Sequence, residues 1–207
     1  SAQDRRMDEE RHPAEFLPFT QVKPGMQVLD VSAGGGYTSQ LLALAVGPSG
    51  TVWAQAPKPG ATLLKRLADH PQPNLIVIAR PFDDPLPADV YKLDLITLIL
   101  NYHDTVWMGA DRAKMNRAVF AALKPGGVYG IIDHSAKDGA GTTVAHTLHR
   151  IDEATVKQEV TAAGFKLDGE ADFLRNPADA RDWNPSPRAA GARRGTSDRF
   201  VLRFVKP

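Results

Sequence analysis

Segments with the pattern of buried strands alternate with segments of helical spacing along most of this 207-residue chain. The clearest strand is LDLITLIL, residues 93–100, which is almost wholly apolar and shows no two-residue alternation. A strand of this kind has both faces covered, which is typical of parallel sheets with helices on each side. The strand–helix order requires the same arrangement, since each helix returns the chain to the start of the next parallel strand. The sequence therefore predicts an α/β fold with a mostly parallel sheet and helices on both faces.

The helices are indicated by apolar spacing and by their end signals. Tyr37–Val46 and Ala61–Asp69 carry helical spacing, and so does a segment that begins at Asp111. Asp152 is a good N-cap for a further helix that stops at Gly164. Strands are predicted at residues 26–32, 50–56, 74–79, 93–100, 128–133, 165–174 and 197–207.

We expect residues 1–207 to form a single domain. Residues 1–22 are expected to be a helical extension, with a helix over residues 4–17, although the stretch EERHPAEFLPF, residues 9–19, has two prolines. The last two strands lack a long helical crossover, which indicates an antiparallel edge. Residues 175–196, which connect them, are long for a structureless loop, and such loops are usually functional or disordered.

Composition excludes several classes of function. The chain has no cysteine, which excludes disulfides, thiol catalysis and thiolate metal sites. No apolar run approaches a membrane span, and a formal net charge of +1 favours neither nucleic acid nor a membrane as partner. The start, SAQDRR, fits a mature terminus of an exported, periplasmic protein after signal cleavage, or a tag remnant on a cytoplasmic one. The oligomeric state is left open.

The stretch VLDVSAGGGYTSQLL, residues 28–42, places Gly34, Gly35 and Gly36 between a predicted strand and a helix. A glycine turn at the carboxyl end of a parallel strand lets a ligand approach backbone N–H groups at the positive end of the helix. A tight turn without a ligand is the alternative, and the turn alone is weak evidence for a site. No Lys-Ser/Thr pair follows, and Ser39 departs from the GxGxxG spacing.

Four motifs in order, KPGMQVLDVSAGGGYTSQLL, FDDPLP, LDLITLILNYHD and ALKPGGVYGIIDH, resemble those of class I S-adenosylmethionine-dependent methyltransferases over about residues 23–134. The full length, with NYHDTVWMGADR and DFLRNPADARDW, resembles a group of predicted bacterial methyltransferases, some of which carry export signals. The resemblance implies a Rossmann-like seven-stranded methyltransferase sheet whose C-terminal strand is antiparallel. It also implies S-adenosylmethionine as cofactor and methyl transfer as the reaction.

The resemblance also implies the cofactor contacts. Asp30 and Ala33, with the three glycines that follow, match the loop that holds the methionine part of the cofactor. Asp83 or Asp84 matches the acidic residue that meets the adenine amino group. Asn101, at the end of the fourth strand, matches a residue beside the transferable methyl group.

One position departs from the family pattern. The second strand usually ends in Asp or Glu, whose carboxylate accepts hydrogen bonds from the ribose hydroxyls, and this chain has Ala56 there. Gln55 or a water molecule is the substitute that we expect. Loss of a charge-assisted hydrogen bond costs roughly 1.5–3 kcal/mol, which weakens binding about tenfold or more.

Three residues are candidates for catalysis. Methyl transfer to oxygen or nitrogen often needs a base for the acceptor proton, and a histidine with a pKa near neutrality is suited to this role. His103 and His134 follow the fourth and fifth strands, and a cap or a strand-end hydrogen bond is the alternative role for each. Tyr102 lies beside the methyl group by resemblance. Asp104 is not expected to face the same way as His103.

The loop at 175–196 supplies the candidates for acceptor binding. It is rich in arginine, which binds carboxylate and phosphate groups in bidentate fashion, so Arg181 and Arg194 predict a small, anionic acceptor. Trp183 is a candidate wall of the same site. Solvated surface charge and a covered core edge are the alternatives.

Three further expectations complete the sequence analysis. No metal site is expected, because the spacing of His146, His149 and Asp152 is common before an N-cap. Residues 135–147 contain two glycines and predict a lid that closes over the ligand. The alternative function is a degenerate methyltransferase-fold module that binds a nucleoside-type ligand without transfer, which the missing carboxylate at Ala56 favours.

Overall fold

The computed structural model describes residues 1–207 and contains one seven-stranded sheet. The strands are β1 Gln27–Val31, β2 Thr51–Ala56, β3 Leu75–Ala79, β4 Leu93–Ile99, β5 Leu123–His134, β6 Lys166–Ala171 and β7 Arg199–Val205. Their order in the sheet is β3-β2-β1-β4-β5-β7-β6. The pairs within β3-β2-β1-β4-β5 are parallel, and β7 is antiparallel to both β5 and β6. The predicted α/β fold with an antiparallel C-terminal strand is therefore confirmed.

Eight α-helices connect and flank the strands. Tyr37–Val46 and Ala61–Asp69 are helical with the predicted bounds. None of the helices combines the length and the apolar character that crossing a membrane requires. The helices are α1 Ala2–Arg11, α2 Pro13–Phe19, α3 Tyr37–Val46, α4 Ala61–Asp69, α5 Tyr102–Trp107, α6 Arg112–Ala122, α7 Ala145–Leu148 and α8 Glu153–Ala162, and a short 3-10 helix spans Gly191–Arg193.

The N-terminal helix predicted over residues 4–17 is in fact two helices. His12 lies between α1 and α2 with a left-handed φ of 49°, and Pro13 begins α2. Proline suits the first helical position, because its missing N–H would have no partner there, but it cannot continue α1. The bend lets α1 turn back toward the carboxyl ends of the strands.

Both faces of the sheet are buried, as the pattern of residues 93–100 predicts. Val28 and Leu95 belong to one apolar cluster, whose helical members include Leu42 of α3. Their neighbours Leu29 and Ile96 point to the other face, in a cluster that contains residues of α6 and α8. This two-sided packing fixes the ends of β1 and β4 side by side at one edge of the domain.

The order of the sheet determines where a ligand can bind. The chain leaves β1 toward β2 and β3 on one side, and it returns to place β4 on the other side of β1. A crevice opens at such a switch point, beyond the carboxyl ends of the two strands. The turn at residues 33–36 and the start of α5 lie at this position.

Candidate active site

A cavity of about 740 Å³ lies beyond the carboxyl ends of β1 and β4. This volume is within the range of small-ligand pockets, roughly 300–1,000 Å³. Its walls come from the glycine turn, the residues that follow β4 and β5, one face of α1, and the loop between β6 and β7. The lining residues include Asp30, Ser32, Ala33, Gly34, Gly35, Asn101, His103, Asp104, His134, His149, Arg188, Arg194 and Arg199.

Two positions of the turn are occupied by glycine for different structural reasons. Gly36 has a φ of 82°, and a Cβ there would lie 2.6 Å from Leu63 Cδ1, so packing against α4 requires glycine. Gly34 has a φ of 55°, and a Cβ there would approach nothing nearer than Ser32 O at 3.9 Å. The space beside Gly34 therefore belongs to the cavity, where a ligand can reach the backbone.

Asp30 is buried at the end of β1 and lines the cavity. Burial raises the pKa of its carboxyl to about 6, although the hydroxyls of Ser39 and Thr97 both donate hydrogen bonds to it. The Thr97 hydroxyl lies 2.9 Å from Asp30 Oδ1. These bonds hold the carboxylate in place, and it is ionised at neutral pH.

The residues that directly follow β1 and β4, beside the cavity, have strained backbones. Ser32 and Leu100 have left-handed φ values of 59° and 58°, which are uncommon for residues other than glycine. The Ser32 hydroxyl donates a hydrogen bond of 2.7 Å to Asn101 Oδ1, which links the ends of the two strands. Strained residues of this kind cluster at functional sites, and no sequence pattern identified these two.

The structure does not bring Gln55 to the cavity. Its Nε2 donates to Arg80 O at 2.6 Å, and its Oε1 accepts from Ser32 N at 2.9 Å. Both ends of the buried amide are therefore used to brace the turn. Ala56 follows as the last residue of β2 and has no polar group to replace a carboxylate.

Asp83 and Asp84 also lie outside the cavity lining. Asp83 pairs with Lys114 of α6 at 3.1 Å, and Asp84 forms a short ion pair with Arg80. Both carboxylates are therefore occupied by cations of the chain itself.

A cluster of imidazoles and carboxylates lies where β4 and β5 end. His103 is buried at the start of α5, and its Nδ1 lies 2.7 Å from Asp133 Oδ1. Its Nε2 lies 3.1 Å from Asp104 Oδ1 and 3.3 Å from His149 Nδ1. The expectation that Asp104 faces away from His103 is therefore wrong. The two residues are successive on α5, and the imidazole is long enough to reach the Asp104 carboxylate.

The two predicted histidines have opposite electrostatic surroundings. Burial alone would lower the pKa of His103, but the charges and hydrogen bonds of Asp133 and Asp104 raise it to about 10. Burial and the positive charges of His103 and Arg199 hold the pKa of His134 well below its usual range. His134 is therefore neutral at pH 7, with Nδ1 at 2.8 Å from Ser197 Oγ, and it keeps a free ring-nitrogen lone pair that the protonated His103 lacks.

Tyr102 does not reach the cavity. It is fully buried in the cluster between the sheet, α6 and α8. Its hydroxyl donates to Glu159 Oε2 at 2.7 Å and accepts from Asn116 Nδ2 at 2.8 Å. The side chain of Tyr102, the first residue of α5, thus packs between the sheet, α6 and α8. The side chain of the second residue, His103, faces the cavity.

The loop between β6 and β7 reaches the cavity through only some of its predicted residues. Arg181 pairs with Asp138 at 3.0 Å and with buried Asp198 at 2.9 Å. Trp183 is buried, and its Nε1 donates to Asp179 at 2.7 Å. Arg181 and Trp183 therefore fix the loop, and Arg194 is the predicted acceptor residue that lines the cavity.

Helix α1 closes the outer side of the cavity. Asp4 pairs with Arg66 of α4, and Glu10 lies 3.2 Å from Arg194 Nε. By contrast, no residue of the segment 135–147 lines the cavity. Within that segment, the backbone N–H of Gly139 donates to Asp152 at the start of α8. The prediction that residues 135–147 form a lid stays a prediction.

Solved structures share this fold over most of the chain. An S-adenosylmethionine-dependent methyltransferase from Aquifex aeolicus has a TM-score of 0.71 and 18% identity, covering 100% of this chain and 98% of that one. The 4+2 cyclase SpnF has a TM-score of 0.68 and 15% identity, over 96% of this chain and 80% of that one. Fibrillarin from Aeropyrum pernix, with natively bound S-adenosyl-L-methionine, has a TM-score of 0.58 and 15% identity, over 89% and 68%.

No family model matches the chain, and no curated protein matches it. The fold is therefore established by structure: it is the fold of the class I S-adenosylmethionine-dependent methyltransferases. Fold alone does not specify function, because one fold serves several chemistries. The function must be argued from the cavity and its residues.

Proposed function

We propose that this protein is an S-adenosylmethionine-dependent methyltransferase that acts on a small, anionic acceptor. The observation that carries the proposal is the large cavity at the switch point of β1 and β4, with the open space beside Gly34 at its wall. A ligand at this place meets backbone N–H groups before α3, whose N-terminus is the positive end of the helix dipole.

The residues of the cavity fit the methionine part of the cofactor. Gly34 and Gly35 leave the backbone accessible, and the Asp30 carboxylate is available for a cationic group. Asn101 lies on the same wall and is positioned by Ser32. When bound, S-adenosylmethionine supplies a methyl group on a positively charged sulfur.

The arginines that line the cavity fit an anionic acceptor. Arg188, Arg194 and Arg199 all line the cavity. Arg199 is buried, and its guanidinium donates to the backbone carbonyls of Glu10 and Gly195 at 2.6 and 2.9 Å rather than to a carboxylate. No carboxylate of the chain lies within ion-pair distance of this guanidinium, although the charges of Glu10 and Asp198 partly offset the effect of burial on its pKa. A carboxylate or phosphate of the acceptor would supply a direct ionic partner.

His134 is the residue that we assign to proton transfer. It lines the same cavity, and Ser197 Oγ fixes the orientation of its ring. In the tautomer whose Nδ1–H donates to Ser197, the Nε2 lone pair is free to accept a proton. A positioned base of this kind contributes roughly 10²–10⁴-fold to a rate.

The test is formation of S-adenosylhomocysteine from S-adenosylmethionine with a panel of small carboxylic and phosphorylated acceptors. We expect His134→Gln to lower kcat by about 100-fold or more, with unchanged cofactor affinity. We expect Arg194→Ala to raise KM for the anionic acceptor with little change in kcat. Binding of the cofactor without turnover of any acceptor in the panel would contradict methyl transfer.

A binding module without transfer is the second candidate. It is favoured by the β2 end, where Ala56 replaces a carboxylate and both ends of the Gln55 amide are already bonded. The fold is also compatible with functions other than methyl transfer, since the cyclase SpnF shares it. Equal affinity for adenosine and S-adenosylmethionine, together with no turnover, would support this candidate and contradict the first.

A further inference from the structure

We propose that His103, Asp104 and His149 bind a divalent first-row transition-metal ion in the cavity that the glycine turn also lines. The proposal concerns the metal site alone and does not depend on methyl transfer. It arises because the fold brings two histidines from distant segments to one carboxylate.

The three candidate ligand atoms form a nearly equilateral triangle. His103 Nε2 lies 3.3 Å from His149 Nδ1 and 3.1 Å from Asp104 Oδ1, and the last two atoms lie 3.1 Å apart. Two atoms that are each roughly 2.1 Å from a metal ion are about 3.0 Å apart at a right angle and about 3.4 Å apart at the tetrahedral angle. The observed separations all lie between these values, so one ion can contact all three atoms with little movement of the side chains.

A buried carboxylate orients the first ligand, as it does in many metal sites. Asp133 is fully buried, and its Oδ1 lies 2.7 Å from His103 Nδ1. Its other oxygen accepts the backbone N–H of His103 at 2.7 Å. The bond between Nδ1 and Asp133 Oδ1 places the proton of a neutral imidazole on Nδ1, which leaves the Nε2 lone pair directed at Asp104 and His149. Metal-binding histidines nearly always have such a partner on the second nitrogen.

The backbone at the third ligand is also held in an unusual conformation. His149 follows α7 with φ 47° and ψ 50°, in the left-handed region that residues other than glycine rarely adopt. Trp107 packs edge-on against the His149 ring, with the centroids 6.0 Å apart, and its Nε1 donates to Asp104 Oδ1 at 3.1 Å. The indole thus contacts both residues and limits their movement.

The donor set defines the class of ion. Two imidazoles and one carboxylate suit ions such as Zn²⁺, Fe²⁺, Mn²⁺ or Co²⁺, whereas Mg²⁺ and Ca²⁺ prefer oxygen ligands alone. Three protein ligands leave coordination positions open for a small molecule or water. His103, Asp104 and His149 all line the same cavity as Gly34, so such a molecule would enter from that cavity.

A hydrogen-bond network without metal is the competing explanation of the cluster. A doubly protonated His103 can donate to both Asp133 and Asp104, and it then carries the positive charge that the carboxylates require. In that case His149 contributes no ligand, and its replacement leaves metal affinity unchanged. The two explanations therefore predict different behaviour of the same variants.

The experiment is titration of the chelator-treated full chain with Co²⁺, which absorbs visible light when it is bound by nitrogen and oxygen ligands. We expect one ion per chain, displaced by Zn²⁺. His149→Asn and Asp104→Asn should each weaken binding by about 100-fold or more, since removing a ligand costs at least as much as removing the hydrogen-bond partner of a ligand, which costs roughly 10–100-fold. Asparagine is chosen at 149 because it tolerates a left-handed backbone. Asp133→Asn should weaken binding by roughly tenfold, since it acts through His103.

The matched control is His146→Asn. His146 lies on α7 beside Trp107, with ring centroids 5.3 Å apart, but it is outside the triangle. The His146→Asn variant should bind Co²⁺ as tightly as the parent chain. Circular dichroism reports whether each variant is folded. If either His149→Asn or Asp104→Asn is unfolded, the Co²⁺ affinity of the other variant tests the proposal. Absence of one-to-one binding by the parent at micromolar concentrations, or equal binding by the parent and a folded ligand variant, would overturn the proposal.

Discussion

The two sides of the cavity are lined by different kinds of chemical group. The glycine side consists of the turn at residues 33–36 with Asp30, and it offers mainly backbone beside a single buried carboxylate. The histidine side consists of His103, Asp104, Asp133, His134 and His149, and it offers closely packed ionisable side chains. A backbone site recognises the shape and polar edges of a ligand, whereas a cluster of imidazole and carboxylate can hold a cation or move a proton. The difference suggests that one end holds a cofactor and the other performs chemistry.

The largest effect is expected from a side chain placed in the open space of the glycine side. Gly34→Val should weaken S-adenosylmethionine binding by about 100-fold, which corresponds to about 2.7 kcal/mol. The branched side chain occupies the ligand space and is strained at a φ of 55°. Binding isotherms of the parent and the variant give the ratio.

Gly126→Val is the matched control for this variant. Gly126 has a φ of 75° with no atom within 4 Å of a Cβ, and it lies near the amino end of β5, between the residues paired with Leu93 and Leu95, whereas the cavity lies at the carboxyl ends of the strands. It imposes similar backbone strain without entering the ligand space. If both variants weaken binding equally, loss of stability rather than the turn explains the result.

The second largest effect concerns the buried carboxylate of the glycine side. The pKa of Asp30 is raised by burial to about 6 in the folded chain, against 3.8 for an aspartate exposed to water. Between these values the unfolded chain has already released the proton that the folded chain keeps, so stability falls as pH rises. We expect the parent to lose about 2–3 kcal/mol of unfolding free energy relative to Asp30→Asn between pH 4 and pH 7.

Urea unfolding of both proteins across this pH range measures the difference, because other titrating groups cancel in the comparison. Parallel curves would mean that Asp30 is ionised in the folded chain throughout. The histidine side would then be the only end of the cavity with strongly shifted groups.

The smallest effect is expected at the end of β2. Ala56→Asp should tighten S-adenosylmethionine binding by about tenfold, since it restores a charged acceptor for the ribose hydroxyls. Ala56→Asn is the control, because it adds a similar volume without the charge. Equal affinities of the parent and Ala56→Asp would show that another group already binds the ribose.

The two sides also differ in how far the sequence predicted them. The glycine turn is contiguous, and strand–turn–helix order is visible in VLDVSAGGGYTSQLL, so α3 and the turn were predicted with their bounds. The histidine side joins residues 103–104, 133–134 and 149, and no local spacing connects segments that far apart. Helices α5 and α7, which carry or precede these residues, have only six and four residues. Apolar periodicity cannot be recognised in elements that short.

The expectations at single residues failed for a different reason. A pattern shows which residue is present but not which partner its side chain finds. Gln55 was predicted to meet the ribose, yet its amide is bonded to Ser32 and to the carbonyl of Arg80. Tyr102 was predicted at the methyl group, yet its hydroxyl is bonded to Glu159. Both outcomes depend on packing between elements, which a single sequence does not determine.

Cofactor binding at the glycine side is the property on which the proposed activity depends most directly. Titration calorimetry of the purified chain with S-adenosylhomocysteine, which is the product of methyl transfer, tests this claim without knowledge of the acceptor. We expect one site per chain, a dissociation constant of about 1–100 µM, which corresponds to about −8.2 to −5.5 kcal/mol, and competition by S-adenosylmethionine. Absence of saturable binding up to millimolar concentrations, in a chain that is folded by circular dichroism, would contradict the account.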